Sequence, residues 1–390
     1  MSDLWTEAGF VSLNKQGETL CGDRVEIAGG GEQDVTMVLA DGLGSGVKAN
    51  ILATLTSKIV CTLLSGGMPL EECVSTVANT LPVCSVRQVA YSTFTIVRIT
   101  ENRMAQIIQF DNPATIVLRD GEPFDYPTST RVIAGKTIWE STFPAQCGDV
   151  FICMSDGAEY AGVGRALNFG WSRGAIADFA SANYMPDAAA KSTAGLIAEE
   201  CNRLYGGLPG DDTTIAVLRV SHRHPVNLVV GPPADRAQDM KLMHLFFAKE
   251  GAKIVCGGTT SRLASDFLAK PILPSLDYPD PDVPPTSTLQ GVDLVTEGVV
   301  TLSKVYQYAK DYLDAARLAP AWTCGRDGAS LLAQELFERA TDIHFFVGRA
   351  INPAHQNPDL PITFGVKQQL IQGLADCLEK MGKHIRLSYF

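Results

Sequence analysis

Apolar positions along the chain change their rhythm twice. From Phe10 to about Val220 the pattern is mostly strand-like, with β-branched runs parted by turn signals and two helical blocks set in early. Val35 to Ala40 is predicted as a short buried strand ending at Asp41. Val47 to Leu64 then repeats apolar residues at helical spacing, and Pro69 to Thr80 opens a second helix with proline at its first turn. Ala90 to Ile99, Met104 to Phe110 and Ala114 to Leu118 follow, separated by Glu101-Asn102, Asp111-Asn112-Pro113 and Asp120-Gly121. Turn sequences at that spacing predict an antiparallel meander. Val150 to Met154 is another strand, Ser172 to Tyr205 holds two helices broken near Pro186, and Thr213 to Val220 closes the region as a strand. The fold class expected is α+β: an antiparallel β-sandwich flanked by helices.

His222-Arg223-His224-Pro225 reads as a linker of solvated residues, placing domains at 1–221 and 222–390. Beyond it, Val226 to Val230, Lys253 to Cys256, Val292 to Val295 and Ile343 to Val347 are short strands. Helical segments such as Ala237 to Lys249 and Ser330 to Ala340 lie between them, so a smaller α/β domain is expected. Pro279 to Pro285 is a proline-rich excursion inside this half, and Arg326-Asp327-Gly328 a turn before a helix. At 390 residues the chain can bury two separate cores.

Composition narrows the function. The net charge of −11 opposes the phosphate backbone, and no basic stretch interleaved with aromatics offsets it, so nucleic acid is excluded as a partner. Met1 to Phe10 lacks a signal-peptide pattern and no run of eighteen uninterrupted apolar residues appears, so no membrane is expected and the location expected is cytoplasmic. Ten cysteines without a C-x-x-C suit a reducing compartment and argue against zinc.

Four aspartates stand where a strand meets a loop: Asp23 in Cys-Gly-Asp-Arg, Asp41 in Leu-Ala-Asp-Gly, Asp156 in Met-Ser-Asp-Gly and Asp211 in Gly-Asp-Asp-Thr-Thr. Asp-Gly is the commonest turn dipeptide, so each site alone reads as a turn. Carboxylates gathered from distant segments would repel each other unless cations lay between them, and two hard cations about 4 Å apart are what phosphoryl transfer to water needs. Gly42 lets the backbone bend so that its carbonyl can also face an ion.

The ordered set Gly22-Asp23, Asp41-Gly42-Leu43-Gly44-Ser45-Gly46 leading into a helix with Ala49, Ser155-Asp156-Gly157 and Asp211-Asp212-Thr213-Thr214 resembles the PP2C-type, metal-dependent serine/threonine phosphatases in their SpoIIE-like bacterial branch. The resemblance covers residues 8 to 220. It implies that Asp23 and Asp41 bind or bridge two Mn2+ or Mg2+ ions with the Gly42 carbonyl, that Asp156 and Asp211 complete the ligand set of the second metal, and that Asp212 can exchange roles with Asp211. It also implies hydrolysis of phosphoserine or phosphothreonine by a metal-bridging hydroxide without a phosphoenzyme. The phosphoprotein substrate it suggests is a regulatory one, such as an anti-sigma-factor antagonist. The branch lacks the phosphate-binding arginine of eukaryotic members; Arg24 and Arg87 are candidates by position alone. Asp111-Asn112-Pro113 stands where relatives carry a glycine-histidine-proline turn.

Rival readings remain. Gly42 to Gly46 fails the spacing of both a dinucleotide loop and a Walker loop. Cys256-x5-Arg262 after a strand has the spacing of a cysteine-dependent phosphatase loop, and in a milder form Gly257 to Ser261 is an anion site. Asp293 and Glu297 are read as a strand end and helix cap more readily than as ligand groups. His222 and His224 form a candidate metal pair. A catalytically weak signalling module whose rear domain senses a small molecule, and gates the front one, is the alternative function; a homodimer and a small-molecule ligand of residues 222–390 are both compatible with the chain.

Overall fold

The computed structural model describes residues 4–80, 92–100, 103–313, 322–350, 356–357, 360–361 and 364–390. The chain divides into two compact units, Met1–His222 and Arg223–Phe390.

In the first unit the elements run β1 (Leu4–Leu13), β2 (Asp23–Gly29), β3 (Val35–Asp41), α1 (Gly46–Ser65), α2 (Leu70–Thr80), β4 (Thr93–Thr100), β5 (Met104–Phe110), β6 (Ile116–Arg119), β7 (Glu122–Pro123), β8 (Ser129–Ile133), β9 (Lys136–Pro144), β10 (Asp149–Met154), α3 (Asp156–Glu159), α4 (Arg173–Ala182), α5 (Ala190–Leu204) and β11 (Thr213–His222). They make a five-stranded sheet in the order β1-β11-β10-β6-β7 and a six-stranded sheet in the order β2-β3-β4-β5-β9-β8. β3 shows why its sequence lacks polar alternation. Val35, Met37 and Leu39 meet Phe151, Ala216 and Leu218 of the other sheet, whereas Val38 packs with Val60, Leu64 and Val74 of the helices. With both faces covered, every residue but the last is buried. α1 is long and apolar enough to cross a membrane by length and composition. Its Ala49, Ala53, Val60 and Leu64 are nonetheless buried, as expected of a helix lying on a sheet.

The meander expected over residues 90 to 118 breaks after its second strand. β4 and β5 pair antiparallel, but β6 crosses to the other sheet and pairs with β10. Asp111 takes a left-handed φ of 54° and Pro113 has no N–H to give a third ladder. The Gln109 amide binds both sides of the step, donating to the Pro113 carbonyl (2.9 Å) and accepting from Thr115 N–H (3.3 Å). A hairpin not anticipated from the sequence fills the vacated edge: β8 and β9 turn at Ala134-Gly135, both at positive φ (49° and 75°), the conformation of a tight two-residue hairpin. Ala90, Tyr91, Arg87 and the Glu101-Asn102 turn lie outside the described residues.

The second unit runs β12 (Pro225–Val230), a single 3-10 turn (Arg236–Gln238), α6 (Asp239–Phe247), β13 (Ala252–Cys256), α7 (Gly258–Leu268), β14 (Leu273–Pro274), β15 (Ser287–Leu289), β16 (Val292–Thr296), α8 (Val299–Leu313), α9 (Gly328–Ala333) with a π-helical continuation (Gln334–Arg339), β17 (Asp342–Val347), the two-residue β18 (Gln356–Asn357) and β19 (Leu360–Pro361), α10 (Phe364–Lys380) and β20 (His384–Tyr389). Seven strands lie in the order β14-β15-β16-β13-β12-β17-β20, parallel from β16 to β20. The chain winds outward in one direction from β12 through β13 to β16, then returns to β17 on β12's other side, which makes an open, doubly wound sheet. The runs of apolar residues in β12, β13 and β17 follow from burial on both faces.

The linker is shorter than expected, and although His222 and His224 are exposed as expected, its residues are held by specific partners. β11 runs to His222 and β12 begins at Pro225. Arg223 is paired to both carboxylate oxygens of Asp342, and His224 N–H donates to Thr341 Oγ1 (2.8 Å). The His224 ring nitrogen Nε2 stands 2.8 Å from Glu335 Oε1, so its partner is a carboxylate on the π turn.

Candidate active site

Asp23 and Asp41 face each other directly across the β2–β3 ladder, at the end of that sheet. Asp41 ends a fully buried strand, so the chain must turn at Gly42 to enter α1. That turn is closed by Gly42 N–H donating to the Gly22 carbonyl (3.2 Å), and Asn50 of α1 donates to the Cys21 carbonyl (2.8 Å). A Cβ on Gly42 would lie 2.6 Å from the Gly22 oxygen and closer still to the Ala49 carbonyl, both backbone atoms. Gly42→Ala is therefore expected to push the two loops apart. The measurable result is a fall in melting temperature corresponding to about 1–3 kcal/mol, the usual range for an overpacked site.

Asp156 and the Asp211-Asp212 pair come from the other sheet. β10 ends at Met154, and Ser155 accepts from Thr214 N–H on its Oγ (2.9 Å) while its own N–H donates to the Thr214 carbonyl (3.0 Å). This clamp sets the exposed Asp156, in the first turn of α3, beside the start of β11. Tyr205 donates its hydroxyl to the Gly157 carbonyl (2.6 Å) from the end of α5. A Cβ on Gly157 would stand 2.6 Å from Thr213 Oγ1, so glycine is what lets the two segments approach.

The two adjacent aspartates have different surroundings. Asp211 is 38% exposed and its Oδ1 meets Lys15 Nζ at 3.3 Å. Asp212 is 4% exposed; its Oδ1 accepts from Lys15 N–H (3.0 Å), and its Oδ2 is buried without a hydrogen-bond partner. That oxygen points at Gly22, where a Cβ would be 2.8 Å away. Asp23 is likewise 4% exposed with a partnerless buried Oδ2. Two buried carboxylate oxygens without donors, in one small region, are a costly arrangement unless something cationic is bound there.

The carboxyl groups perturb one another. Burial pushes Asp23 up to about 7; hydrogen bonds from Ser155 and Thr214 oppose the rise, and Asp212 and Asp156 add to it. Burial pushes Asp41 up to about 9, with Asp23, Asp156 and Asp211 contributing in that order. The Cys21 thiol next to Asp23 is also driven up, chiefly by burial. Asp23, Asp41, Asp156, Asp211 and Asp212 thus share one field, as a site built for cations would. Among the described residues no three His, Cys, Asp or Glu side chains converge closely enough to hold an ion as they stand. The donor chemistry, the two orphaned oxygens and the glycine turns fit divalent cations.

Lys15 has no sequence signal, because a lone lysine in a polar loop looks like any solvated residue. Arg24, on β2 after Asp23, is exposed. The cysteine reading is overturned: Cys256 is fully buried, accepts from Thr296 Oγ1 (3.3 Å), and burial pushes its thiol up to about 12. A nucleophilic thiolate needs the opposite environment. Asp293 accepts from Lys253 N–H (2.7 Å) and Glu297 from Val300 N–H (3.2 Å), so both serve backbone groups at strand and helix ends.

Residues 31–221 match the family model described as Stage II sporulation protein E (SpoIIE). No curated protein matches the chain. Among solved structures, the chain is similar to the PP2C phosphatase domain with a fragment of the regulatory domain of SpoIIE from Bacillus subtilis, at 19% identity and a TM-score of 0.48, covering 57% of this chain and 64% of that one. It is also similar to the RsbU and RsbW domains of Rv1364c from Mycobacterium tuberculosis (15% identity, TM-score 0.46, covering 62% and 67%) and to RsbX in complex with magnesium (21%, 0.40, covering 56% and 96%). The chain thus spans less than two thirds of the first of these relatives. The four acidic motifs and the paired sheets fall within the matched segment or directly before it, so the SpoIIE match covers most of the front unit.

Proposed function

We propose that the protein hydrolyses phosphoserine or phosphothreonine on a regulatory phosphoprotein, using two divalent cations, Mn2+ or Mg2+, held by Asp23, Asp41, the Gly42 carbonyl, Asp156 and either Asp211 or its neighbour Asp212. The observation that carries this reading is the pair of buried, partnerless oxygens on Asp23 and Asp212 inside a cluster of five carboxylates. Bound cations would supply charge neutralisation for the phosphoryl oxygens and a hydroxide at neutral pH. The chain's own contributions are mechanical and electrostatic. The β2–β3 ladder holds Asp23 and Asp41 opposite each other, and the Ser155–Thr214 clamp sets Asp156 against β11. Lys15 restrains both Asp211 and Asp212. Its ammonium is also positive charge placed where a phosphate would approach an otherwise acidic surface.

An anti-sigma-factor antagonist is the substrate class that the family resemblance suggests, and the second unit is assigned a modulatory role. Support for the latter is its open α/β sheet, a fold that places ligand sites at strand ends. Hydrolysis of an aryl phosphate and of a phosphoserine peptide by the full chain should appear with Mn2+ and vanish with EDTA. Cys256→Ser should leave both rates unchanged. Activity that survives chelation and is lost in Cys256→Ser would overturn the assignment.

A further inference from the structure

The proline-rich excursion between β14 and β15, together with the turn entering α9, encloses a cavity of about 440 Å3. Its place follows from the sheet. Ser287 of β15 pairs with Val295 near the end of β16, and Ser275 N–H donates to the Thr286 carbonyl (2.9 Å). The cavity therefore opens outside the carboxyl edge of the parallel sheet, the side on which open α/β domains take ligands.

Its wall is built in advance. Tyr278 donates its hydroxyl to the Pro281 carbonyl (3.1 Å), Asp282 N–H donates to Asp280 Oδ1 (2.8 Å), and Lys304 of α8 ties Asp280 Oδ2 (2.5 Å). Prolines at 279, 281, 284 and 285 restrict the backbone further. A wall already ordered saves a ligand the cost of ordering it.

The charges around the cavity are unequally committed. Lys304 and Asp280 neutralise each other. Asp327 is spent on the start of α9, accepting from Ala329 N–H (3.0 Å), Ser330 N–H (3.1 Å) and the Ser330 hydroxyl (2.5 Å). Arg326 and Asp277 remain. Both line the cavity, both are exposed, and neither side chain has an ion pair or hydrogen bond among the described residues.

We infer that this cavity binds a small zwitterion of the amino-acid or dipeptide class, with its carboxylate on Arg326, its ammonium on Asp277, and an apolar side chain against Tyr278, Val283 and Pro284. A guanidinium fork matches a carboxylate in two parallel hydrogen bonds. A ligand that was only anionic would meet the like charge of Asp277, whereas a zwitterion uses both groups. The volume falls within the range of small-molecule pockets and accommodates either ligand size.

The test uses the full chain and needs no phosphatase activity. L-leucine, L-methionine, L-phenylalanine and glycyl-L-phenylalanine are titrated by calorimetry and by thermal shift, with 3-phenylpropionate as the analogue lacking an ammonium. At least one zwitterion should give saturable heat and a rise in melting temperature, since a ligand of the folded form stabilises it. Arg326→Gln should weaken that binding at least tenfold. Asp277→Asn should weaken the zwitterion tenfold while leaving 3-phenylpropionate unchanged or tighter. Both side chains are exposed, and unchanged melting of the unliganded variants confirms that they fold. Absence of saturable binding across the series, or binding indifferent to both substitutions, overturns the proposal.

Discussion

Asp41→Ala is expected to lower Mn2+-supported turnover of a phosphoserine peptide by about 10³-fold, the equivalent of about 4 kcal/mol of transition-state stabilisation. The loss should appear in kcat rather than in KM, because the side chain sits among the carboxylates and not on the surface that would meet a peptide. Asp41 lies opposite Asp23 at the end of a ladder and in the field of Asp156 and Asp211, so its removal takes away the group shared by both halves of the cluster. Isothermal titration of Mn2+ into the variant should show weakened or lost binding. Wild-type turnover in Asp41→Ala would remove the aspartate from the reaction altogether.

The second large effect is on stability. In EDTA the protein should become less stable as pH rises from about 4 to about 9. Asp23 and Asp41 titrate near 7 and 9 when folded and near 3.8 when unfolded. Asp23 keeps a proton that the unfolded chain has shed between about 4 and about 7, and Asp41 does so between about 4 and about 9, so each lowers stability by up to about 1.4 kcal/mol per pH unit inside its own interval. Below pH 4 both states are protonated, so these two groups contribute no slope. Asp41→Asn should melt with a shallower pH dependence than wild type, and Mn2+ should flatten the wild-type curve by taking the place of the protons. Melting temperatures measured from pH 5 to 8 in EDTA decide the matter; equal slopes for wild type and Asp41→Asn would show that burial does not hold a proton there.

How far such a site could be read from the chain depended on where the information lay. Asp41-Gly42 before α1 was legible because a strand, a turn and a helix follow one another within thirty residues, each with its own apolar period. The distinction between Asp211 and Asp212 was not legible. Both are aspartates in one dipeptide, and only the packing of Lys15 and Gly22 decides which oxygen is enclosed. The crossing of β6 was hidden for a similar reason. Asp111-Asn112-Pro113 has the composition of a hairpin turn, and the step to the other sheet is braced by the Gln109 side chain, a single polar group within a strand. The hairpin of β8 and β9 went unread because exposed Val132 and Trp139 blur the alternation of apolar and polar positions and its turn begins with alanine. Cys256 misled by spacing alone, since burial is set by strands far away in the sequence.

The ten-residue pairing of β1 with β11 joins the first strand of the front unit to its last. A nascent chain emerging from the ribosome would therefore hold β1 without its neighbour until residue 222 had cleared the exit tunnel, and Asp211 and Asp212 enter only with that final strand. Such closure makes long-range pairing the slow step of assembly. It also means that an incomplete translation product carries Asp23 and Asp41 without Asp211 and Asp212, so on the proposed mechanism a truncated copy released early would lack part of its ligand set.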